Sequence, residues 1–440
     1  MNVTLEKIVN LCKRRGFIFP GSDIYGGLSN TYDFGPLGVE LKNNFKRLWW
    51  KKFVHERGDV IGLESGILMN PKVWEASGHL KNFTDPLVEC HVCHMRFRAD
   101  KPEDLKSHQH QDFTPAKNFN LMFKSFVGPA EDSASEVYLR PETAQGMFVD
   151  FGLVLDTMRQ RVPFGIAQIG KSFRNEITAG NFVFRLIEFE IAEIEYFTRP
   201  GDDERAFDEW LEFMEKFLVD ELGLSRESLR RFEHPKDSLA HYSKRTADIQ
   251  YKFPWGWDEL WGLANRTDFD LKQHEALSGQ NMKYRDPETS KEYYPYVIEP
   301  TGGAERTVLA MLLDAYSEIE GGRTTTTDAK KEQEVVLKLK KKLAPVAAAI
   351  LPLSKKPELQ EVARKIASEL RTRWNCQYDE TGSIGRRYRR QDEIGTPFCI
   401  TVDFDSLEDK KATVRDRDTM AQERVAIAEL TSYISDQLGR

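Results

Sequence analysis

Residues 170–197, with the sequence GKSFRNEITAGNFVFRLIEFEIAEIEYF, constrain the fold more than any other part of this 440-residue chain. Phe, Ile and Val surround a short TAGN segment, which predicts a strand–turn–strand hairpin. Seven charged residues nevertheless lie between positions 174 and 195 of this apolar stretch: Arg174, Glu176, Arg185, Glu188, Glu190, Glu193 and Glu195. Because unpaired buried charges are costly, a hairpin that only fills a core would not carry them. They form either an internal ladder of salt bridges or the wall of a binding site.

Period-two counting assigns these charges to faces of the two predicted strands. Arg174 and Glu176 share a face of the first strand, where the arginine could grip a phosphate or a carboxylate with two parallel hydrogen bonds. The glutamates of the second strand fall into two pairs of opposite parity, Glu188 with Glu190 and Glu193 with Glu195. Either a bulge lies near residues 191–192 or both faces of this strand are polar.

Composition restricts the class of protein. Hydrophobic residues make up 40% and charged residues 30% of the chain, which is typical of a globular protein with room for two or three domains. No apolar run approaches the roughly 20 residues that span a bilayer, and the N-terminus lacks a secretory signal. Five cysteines, an odd and sparse set, indicate a reducing compartment. We therefore expect a cytoplasmic protein with no membrane partner.

The net charge of −7 argues only weakly against a nucleic-acid partner, because the basic residues are clustered. The stretch GRRYRRQ at 385–391 places four arginines around Tyr388, and KLKKKLAP at 338–345 adds lysines. Such clusters suit a phosphate backbone and unstacked bases. A solvated charged face is the alternative interpretation of either cluster.

Residues 319–334, IEGGRTTTTDAKKEQE, contain almost no apolar residue and predict the main domain boundary. Before it, residues 1–325 place strand-like pieces between helices, which predicts an α+β domain on an antiparallel sheet flanked by helices. We expect a small insert at about 86–125 and a mostly helical insert at about 200–250. After it, residues 333–440 alternate strands with helices, the last helix covering TMAQERVAIAELTSYISDQLG. This pattern predicts a small α/β domain with both sheet faces covered.

Two further clusters carry candidate site residues. In VIEPTGGAERTVLAMLL at 297–313, a strand ends at Glu299–Pro300 and Arg306 enters a helix that begins on glycines. Such a junction can present backbone N–H groups and a guanidinium to an anion, although ordinary strand–turn–helix junctions look alike. In YLRPETAQGMFVDF at 138–151, Glu142 follows a proline in another apolar neighbourhood.

Together, and in this order, these segments resemble the class II aminoacyl-tRNA synthetases, and among them the single-chain glycyl-tRNA synthetase family that acts as a homodimer. The resemblance covers essentially the whole chain, and it rests on GFIFPGSDIYGGLSNTYDFGPLGVELKNN, MNPKVWEASGH, LRPETAQG, FRNE, ANRTDFDL, GGAER and GSIGRRYRRQDEIGTPFCITVDFD. FRNE stands where the family has motif 2, and the arginine of GGAER stands where it has the motif 3 arginine.

The resemblance implies roles for individual residues. Arg174 would hold the α-phosphate and the glycine carboxylate, Glu176 would contact the adenine amine, and Arg306 would stack on the adenine ring, so these three are the expected catalytic residues. Glu259 and Glu299 would help to hold Mg²⁺ or the ribose. The expected ATP-binding set also includes Asn175, Phe184, Arg185, Glu188, Phe189, Leu260 and Gly303. The expected glycine-binding set is Arg98, Glu142, Phe189, Glu193, Glu299, Thr301 and Gly303, with Glu142 and Glu193 on the ammonium.

The implied reaction needs no protein nucleophile. The glycine carboxylate attacks the α-phosphate of ATP in line, and glycine then passes to the 3′-terminal adenosine of tRNA(Gly). Glycine has no side chain to contact, so a site can only bind its charged ends and exclude any amino acid with a Cβ. Steric exclusion avoids the weak discrimination of about 1–3 kcal/mol per methylene that forces editing elsewhere.

The chain departs from the family pattern at three places. Ile187 stands where the family usually has an arginine, so one cation of the ATP side is missing or its task has moved. Thr301 replaces the usual serine, and its methyl group could tighten the pocket against alanine or crowd glycine itself. Ala304 precedes Glu305 where a large apolar residue is usual.

Residues 89–111, ECHVCHMRFRADKPEDLKSHQHQ, give metal-ligand spacing. Cys90 and Cys93, with His108 and His110, could form a Cys2His2 zinc site, and the alternative is a metal-free insert. Some relatives carry two CxxC pairs here, and His91 and His94 are alternative ligands.

In the C-terminal domain the resemblance implies anticodon binding. Arg386, Arg387, Tyr388 and Arg389 would then face tRNA, unless the arginines pair with Asp379, Asp392 and Glu393 within the domain. The family also implies a homodimer with Pro71 in the interface motif. Two alternatives stay open: a class II synthetase for another small amino acid, and a nucleic-acid-binding accessory protein without catalysis.

Overall fold

The computed structural model describes residues 3–100, 102–129, 131–132, 134–176, 180–321, 323 and 333–439. Half of the predicted TAGN turn and most of the predicted linker at 319–334 therefore lie outside the described residues. Within these ranges, no helix combines the length and apolarity required to cross a membrane.

The N-terminal part begins with a capped helix and ends at an edge strand of the main sheet. Thr4 accepts a hydrogen bond from the Lys7 amide and starts the first helix. A long helix follows a short hairpin and continues as a π turn over Lys51–His55. The elements are α1 (Leu5–Arg15), β1 (Ile18–Pro20), β2 (Tyr32–Phe34), α2 (Pro36–Trp50) and β3 (Val60–Gly62).

Two short helices then lead into an insert with its own three-stranded sheet, in the order β5-β4-β6, followed by a separate hairpin. The elements are α3 (Pro71–Ala76), α4 (His79–Asn82), β4 (Thr84–Glu89), β5 (Arg96–Arg98), α5 (Pro102–Ser107), β6 (Lys117–Asn120), β7 (Lys124–Phe126) and β8 (Glu136–Tyr138).

A seven-stranded sheet forms the centre of the molecule, with the order β11-β12-β13-β16-β10-β9-β3. All neighbouring strands are antiparallel except β3 and β9. This confirms the predicted α+β class. The elements are α6 (Ala144–Val149), α7 (Phe151–Met158), β9 (Phe164–Phe173), β10 (Glu188–Thr198), α8 (Asp203–Lys216), β11 (Leu229–Glu233), β12 (Arg245–Phe253), β13 (Gly256–Thr267), α9 (Phe269–Ser278), β14 (Tyr284–Arg285), β15 (Glu292–Tyr293), β16 (Tyr296–Gly303) and α10 (Ala304–Ala315).

The expectation of a mostly helical insert at about 200–250 is wrong. Only α8 and a following π turn are long helical elements there, whereas β11 and β12 are strands of the central sheet. The alternating pattern of RTADIQYKF over β12 fits a strand, and its apolar positions are buried.

The hairpin predicted over 170–197 is present, but its strands are shorter than expected. Strand β9 ends at Phe173, which pairs with Glu188 at the start of β10. Arg174, Glu176 and Arg185 therefore lie in the connecting segment and not on a strand, so period-two counting does not apply to them. In that segment Phe182–Phe184 form a buried 3₁₀ turn.

Strand β10 pairs with β9 without interruption from Glu188 to Phe197, so both faces are polar and there is no bulge. Ala192 and Ile194 on one face join the large core formed with α2, α8 and α10. The opposite face carries Glu193 and Glu195 and continues to Phe197, which packs in a second core with α6. The central sheet thus separates a mainly apolar layer, whose charges Lys42, Glu190 and Glu305 pair with one another, from a layer with several buried carboxylates.

A two-stranded hairpin, β17 (Tyr316–Glu320) with β18 (Gln333–Leu337), lies on either side of the predicted domain boundary. The C-terminal sheet that follows has the order β20-β19-β21-β22-β23. The core residues of α11 and α14 pack on one face, and Ile384 and Tyr388 of α12 pack on the other. The elements are β19 (Ala348–Pro352), α11 (Pro357–Leu370), β20 (Cys376–Tyr378), α12 (Ile384–Ile394), β21 (Phe398–Val402), α13 (Asp405–Asp409), β22 (Lys411–Asp416), β23 (Gln422–Ala426) and α14 (Leu430–Leu438).

The predicted last helix is only half correct, because its first part is strand β23, paired with β22. The helix proper starts at Leu430.

Candidate active site

The segment LRPET, residues 139–143, organises the charged layer of the central sheet. Arg140 is buried, and its Nε donates to the Lys171 carbonyl at 2.7 Å while Nη1 donates to the Ser65 carbonyl at 2.9 Å. A Cβ at Gly170 would lie 2.3 Å from Nη2 of Arg140, so this strand position has to remain glycine. The arginine thereby fixes the segment against strand β9.

The next residue of this segment positions the predicted catalytic arginine. Nε of Arg174 donates to the Pro141 carbonyl at 3.1 Å. Its guanidinium lies 5.5 Å from the ring centroid of Phe83 and 5.4 Å from that of Phe189. Among the described residues no acceptor pairs with its terminal nitrogens. The side chain is therefore held in place with two donors available for an anion.

Four buried carboxylates lie on the same layer and are referred to here as the acidic pocket: Glu142, Glu193, Glu195 and Glu299. Glu193 accepts from the Thr143 amide at 2.7 Å and from the Thr143 hydroxyl. Glu142 accepts from Nε2 of Gln145 at 3.0 Å. Glu193 is therefore oriented by the LRPET segment, and Glu142 by the helix that follows this segment.

One arginine serves most of this acidic pocket. Nη1 of Arg266 pairs with Glu299 at 2.9 Å, and Nε and Nη2 donate to Asp270 at 2.8 and 2.9 Å. Its distance to Glu142 is 3.9 Å, and its guanidinium lies over the Tyr242 ring at 4.1 Å. Arg140 is the other buried arginine that acts on this pocket, through Glu193, so the buried carboxyl groups still outnumber the buried arginines and the acidic pocket has excess negative potential.

The pKa values of these carboxyls move in opposite directions. Burial and the other carboxylates raise the pKa of Glu299 to about 8 despite its ion pair with Arg266. Burial and Glu142 raise the pKa of Glu193. Burial would also raise the pKa of Glu142, but His79 at 3.4 Å and Arg266 outweigh it and hold the pKa below its ordinary value.

Glu195 is the most isolated member of the acidic pocket. It is fully buried, and no described residue donates a hydrogen bond to either carboxyl oxygen. Burial and Glu299 raise its pKa well above the ordinary value. We infer that Glu195 is protonated at neutral pH, because an unpaired buried carboxylate would be costly.

The predicted adenine side consists of two stacked groups. The guanidinium of Arg306 lies 4.2 Å from the ring centroid of Phe184, and its Nη1 donates to the Glu259 carbonyl at 2.9 Å. The Glu259 carboxylate is 3.3 Å from Arg306 and half exposed. Gly303 is the residue before helix α10, and its backbone is extended there. The flat cation and the aromatic face are thus already adjacent.

The remaining predicted ATP residues are distributed unevenly. Glu176 lies 3.7 Å from Arg185 across the connecting segment, and the Asn175 amide donates to the Leu121 carbonyl at 2.8 Å. Leu260 is buried in the large apolar core, so only its backbone could face a ligand. Glu188 pairs with Lys171 and has the opposite parity to Phe189 and Glu193. The structure therefore does not bring the Glu188 side chain into the site.

Two predicted glycine-binding residues lie at the rim. Thr301 of β16 is directly opposite Glu193 of β10. Arg98 belongs to the insert and pairs with Asp85 at 2.7 Å, and Asp100, Asp85 and, more weakly, Glu176 raise its pKa. Arg98 thus lies beside the connecting segment that carries Arg174, and it is already paired with two aspartates.

Sequence reasoning missed the residues that orient this site. Thr143, Gln145, Arg140, Arg266 and His79 all lie within segments on which the resemblance rests, but their residue types do not show which neighbour they support. Ile187 now has a visible function, since its carbonyl accepts from the Arg174 amide at 2.9 Å. A backbone contact tolerates the change of side chain.

In the insert, Cys90, Cys93 and His108 place three ligand atoms within 4.8 Å of one another. His110, the predicted fourth ligand, does not belong to this group, and its ring lies 5.5 Å from that of His108.

In the C-terminal domain, two of the predicted tRNA-binding residues are structural. Arg387 is buried and donates to the carbonyls of Pro352, Asp379 and Leu353 at 2.7, 3.0 and 3.3 Å. Tyr388 packs in the core and bonds to the Thr401 hydroxyl at 2.6 Å. Both predictions are wrong, because α12 turns these side chains towards the sheet. Arg386 is exposed and Arg389 is half-buried.

The three expected acidic partners are all paired, one of them by an arginine of the GRRYRR stretch and the other two by arginines elsewhere. Arg390 pairs with Asp379 at 2.6 Å and Arg415 pairs with Asp392 at 2.9 Å. Glu393 pairs with Arg15 of helix α1, which joins the two parts of the chain.

Comparisons with known proteins agree with this geometry. Residues 347–437 match the family described as anticodon binding domain. Two crystal structures of prolyl-tRNA synthetase from Cryptosporidium parvum, one complexed with halofuginone and AMPPNP and one with L-proline and AMP, share the fold. Their TM-scores are 0.67 and 0.66 at 15% identity, over 99% of this chain and 77% and 75% of those chains. The chain therefore has the fold of a class II aminoacyl-tRNA synthetase.

Sequence relatives specify the member of that class. The glycine–tRNA ligases of Caldanaerobacter subterraneus subsp. tengcongensis and Alkaliphilus oremlandii are each 53% identical, over 100% and 99% of this chain and 99% and 98% of theirs. That of Clostridium acetobutylicum is 52% identical over 99% of both chains. The chain belongs to the glycine–tRNA ligase family.

Proposed function

We propose that this glycine–tRNA ligase activates glycine in the acidic pocket and uses Arg174 to bind the reacting groups. The observation that carries this proposal is the excess of buried carboxylates over Arg266, since an ammonium ion supplies the missing positive charge. Glu142, Glu193 and Glu299 would accept the three N–H donors of the glycine ammonium. The two available donors of Arg174 would bind the glycine carboxylate and the α-phosphate of ATP.

We further propose that the pocket selects glycine by exclusion. Thr301 lies opposite Glu193, so its side chain lies on the wall where a substrate Cβ would project. The walls that contact the substrate are carboxylates and a threonine, which leaves no apolar recess for a side chain. This supports glycine over alanine, serine, threonine or proline.

ATP would bind with its adenine between Phe184 and Arg306. These groups are stacked on each other at 4.2 Å, so they have to separate when the base enters. Glu176 would accept from the adenine amine, which is consistent with its position beside Arg185. Opening this stack is a conformational step that would precede chemistry.

Mg²⁺ is the expected partner of the ATP phosphates, and it usually binds through one or two carboxylates together with phosphate oxygens. Glu259 fits this requirement, because its carboxylate is half exposed beside Arg306. Glu299 fits it less well, since it is buried and paired with Arg266. When bound, the ion would neutralise charge on the phosphates.

The reaction would then be a positioned in-line displacement. The glycine carboxylate attacks the α-phosphorus, pyrophosphate leaves, and the 3′-terminal adenosine of tRNA(Gly) accepts the glycyl group. The chain supplies orientation and positive charge from Arg174 and Arg306.

We propose the same domain division as the sequence indicates, with a catalytic domain over 1–325 and an anticodon-binding domain over 333–440. We also propose a homodimer. Ile67 and Leu68 near Pro71, with Val149 and Leu153 of the adjoining helices, are exposed and apolar, which suits a self-complementary interface. All five cysteines are free, which supports a reducing, cytoplasmic location.

The decisive experiment is ATP–pyrophosphate exchange without tRNA, with glycine, alanine, serine, threonine and proline in parallel. We expect exchange with glycine alone. Arg174→Ala should lower it at least about a hundredfold, because a preorganised donor to the developing charge is lost. Glu188→Gln is the matched control, since Glu188 lies on the other face of the same hairpin.

Two outcomes would contradict the proposal. Exchange with another amino acid would support the synthetase class but would show that glycine is not the substrate. Absence of exchange with all five would favour the accessory-protein alternative, which tRNA titration would then examine.

A further inference from the structure

The insert contains a cluster of metal-type ligands that the glycine-activation site does not use. The Sγ atoms of Cys90 and Cys93 and a ring nitrogen of His108 lie within 4.8 Å of one another. The Cys93 Sγ to His108 Nε2 distance is 3.3 Å. Two thiols and one imidazole at mutual distances of this size match the donor set of tetrahedral zinc.

The turn that carries the two cysteines is shaped to present both sulfurs to one point. The Cys90 amide donates to the Met95 carbonyl at 2.9 Å, and the His94 amide donates to the Cys90 carbonyl at 2.9 Å. This turn brings the two sulfurs within 4.8 Å of each other.

The histidine is fixed from the opposite side. Its ring lies 4.6 Å from that of Phe97 and 5.9 Å from that of Phe113, and residue 113 forms a bridge with Cys90. His108 follows from helix α5, so three separate segments of the insert meet at the cluster. A metal bound there would link the cysteine turn to the segment that follows α5.

We propose that Cys90, Cys93 and His108 bind one zinc ion, with water in the fourth coordination position. Cys93 and His108 are accessible to solvent, which gives the ion a path of entry. The site lies at one end of strands β4 and β5. The other end of these strands carries the Asp85–Arg98 pair at 2.7 Å, and Phe83, which contacts Arg174, directly precedes β4. The ion would therefore fix the hairpin that supports the catalytic arginine.

Binding of zinc does not depend on the proposed function, and only its effect on Arg174 rests on that proposal. The test uses the full-length chain, purified without chelator and measured for zinc by plasma mass spectrometry. We expect about one zinc per chain. After exchange into cobalt, two thiolate ligands should give a charge-transfer band in the near ultraviolet and the visible bands of tetrahedral cobalt.

Variants assign the ligands. Cys93→Ser and His108→Ala should each lose the metal and the cobalt bands, with far-ultraviolet circular dichroism unchanged because both side chains are accessible. His94→Ala and His110→Ala are the controls and should keep both. His94 is a close neighbour whose ring pairs with Glu89 at 3.1 Å.

Each contrary result overturns the proposal. Zinc below about a tenth of an equivalent after incubation with zinc salt, with no cobalt band, would exclude the site. Metal retained by both Cys93→Ser and His108→Ala would place the ion elsewhere. Metal lost by His110→Ala would replace the three-ligand set with the four-ligand one. Unchanged glycine-dependent pyrophosphate exchange in a zinc-free, folded variant would overturn the proposed effect of the metal on Arg174.

Discussion

At Glu299, a buried carboxyl has to share the single cation Arg266 with Asp270 and Glu142. Its pKa of about 8 means that the free enzyme holds it largely protonated at neutral pH. An incoming ammonium favours the ionised form, so binding of glycine releases a proton. The affinity for glycine is therefore linked to pH.

We predict that kcat/KM for glycine in pyrophosphate exchange rises between about pH 6 and pH 8 and levels off above, because deprotonated Glu299 binds the ammonium more tightly. Glu299→Gln should lower kcat/KM and remove this rise. Steady-state exchange across the pH range measures both effects, with Glu188→Gln as the control that keeps the profile. A wild-type profile that falls over this range would exclude Glu299 as the titrating group.

The raised pKa of Glu299 also makes the free energy of unfolding depend on pH. The pKa of Glu299 is raised in the folded protein relative to an unfolded carboxyl, so its contribution is full below about pH 4.5 and is lost as the pH rises through about 8. The glycine-free protein should therefore lose stability across this window.

Glu195 and Glu193 share a face of β10 but differ in their partners. We predict that Glu195→Gln changes the free energy of unfolding by less than about 1 kcal/mol, because a protonated carboxyl and an amide are nearly isosteric. Glu193→Gln should instead lower kcat/KM for glycine about a hundredfold, because a charged contact to the ammonium is lost. Urea denaturation and exchange kinetics distinguish the two. Equal effects of the two substitutions would show that the different hydrogen-bond partners of Glu193 and Glu195 do not separate their roles.

At the scale of elements, the segment after β9 shows what sequence can and cannot predict. The apolar charge-rich pattern correctly indicated two paired strands. It could not reveal that Phe182–Phe184 are buried as a 3₁₀ turn, because burial of an apolar run does not specify strand geometry. Arg174 consequently owes its position to the Pro141 carbonyl, a contact between segments far apart in sequence.

Helix α12 gives a second example. Its four arginines suggested a tRNA surface, but helical periodicity sends them to different sides of the element. Arg387 donates hydrogen bonds to three carbonyls beneath the helix, whereas Arg386 is exposed. The sequence showed that this helix is basic, and the family resemblance implied that tRNA is its partner. Neither specified which arginine side chains face outward.

We predict that Arg387→Ala destabilises the C-terminal domain by about 1–3 kcal/mol, since it leaves buried carbonyls unpaired. Arg386→Ala should leave stability within about 0.5 kcal/mol and should weaken tRNA binding, with a salt-dependence slope smaller by about one. Chemical denaturation and tRNA titration at several salt concentrations give these values. Unchanged binding by Arg386→Ala would remove this face of α12 from the tRNA interface.

At the scale of the whole molecule, the two parts of the chain are joined by polar contacts. Arg15 of α1 donates to Glu393 of α12 at 2.6 Å, and Asn44 of α2 donates to the Ala344 carbonyl at 2.9 Å. Glu393 is almost fully buried, so its pairing is shielded from solvent. These contacts hold the end that would bind the anticodon at a fixed distance from the acidic pocket.

We predict that Glu393→Gln leaves glycine-dependent pyrophosphate exchange unchanged and raises the KM for tRNA in aminoacylation several-fold, because the domain orientation loosens. Parallel exchange and charging assays separate the two steps. Glu423→Gln, an exposed change in the same domain, is the control. Equal losses in both assays would mean that the contact supports the catalytic domain itself.

The excess of buried carboxyl groups over buried arginines in the acidic pocket also affects the stability of the folded protein. Without substrate, the acidic pocket has more carboxyl groups than cations. The glycine ammonium supplies positive charge there, so glycine acts as a removable counter-ion of the native state. At a glycine concentration about a hundred times its Kd, binding adds about 2.7 kcal/mol to the free energy of unfolding. The melting temperature should therefore follow the supply of free glycine, so that starvation for this amino acid makes its own ligase easier to unfold and to degrade.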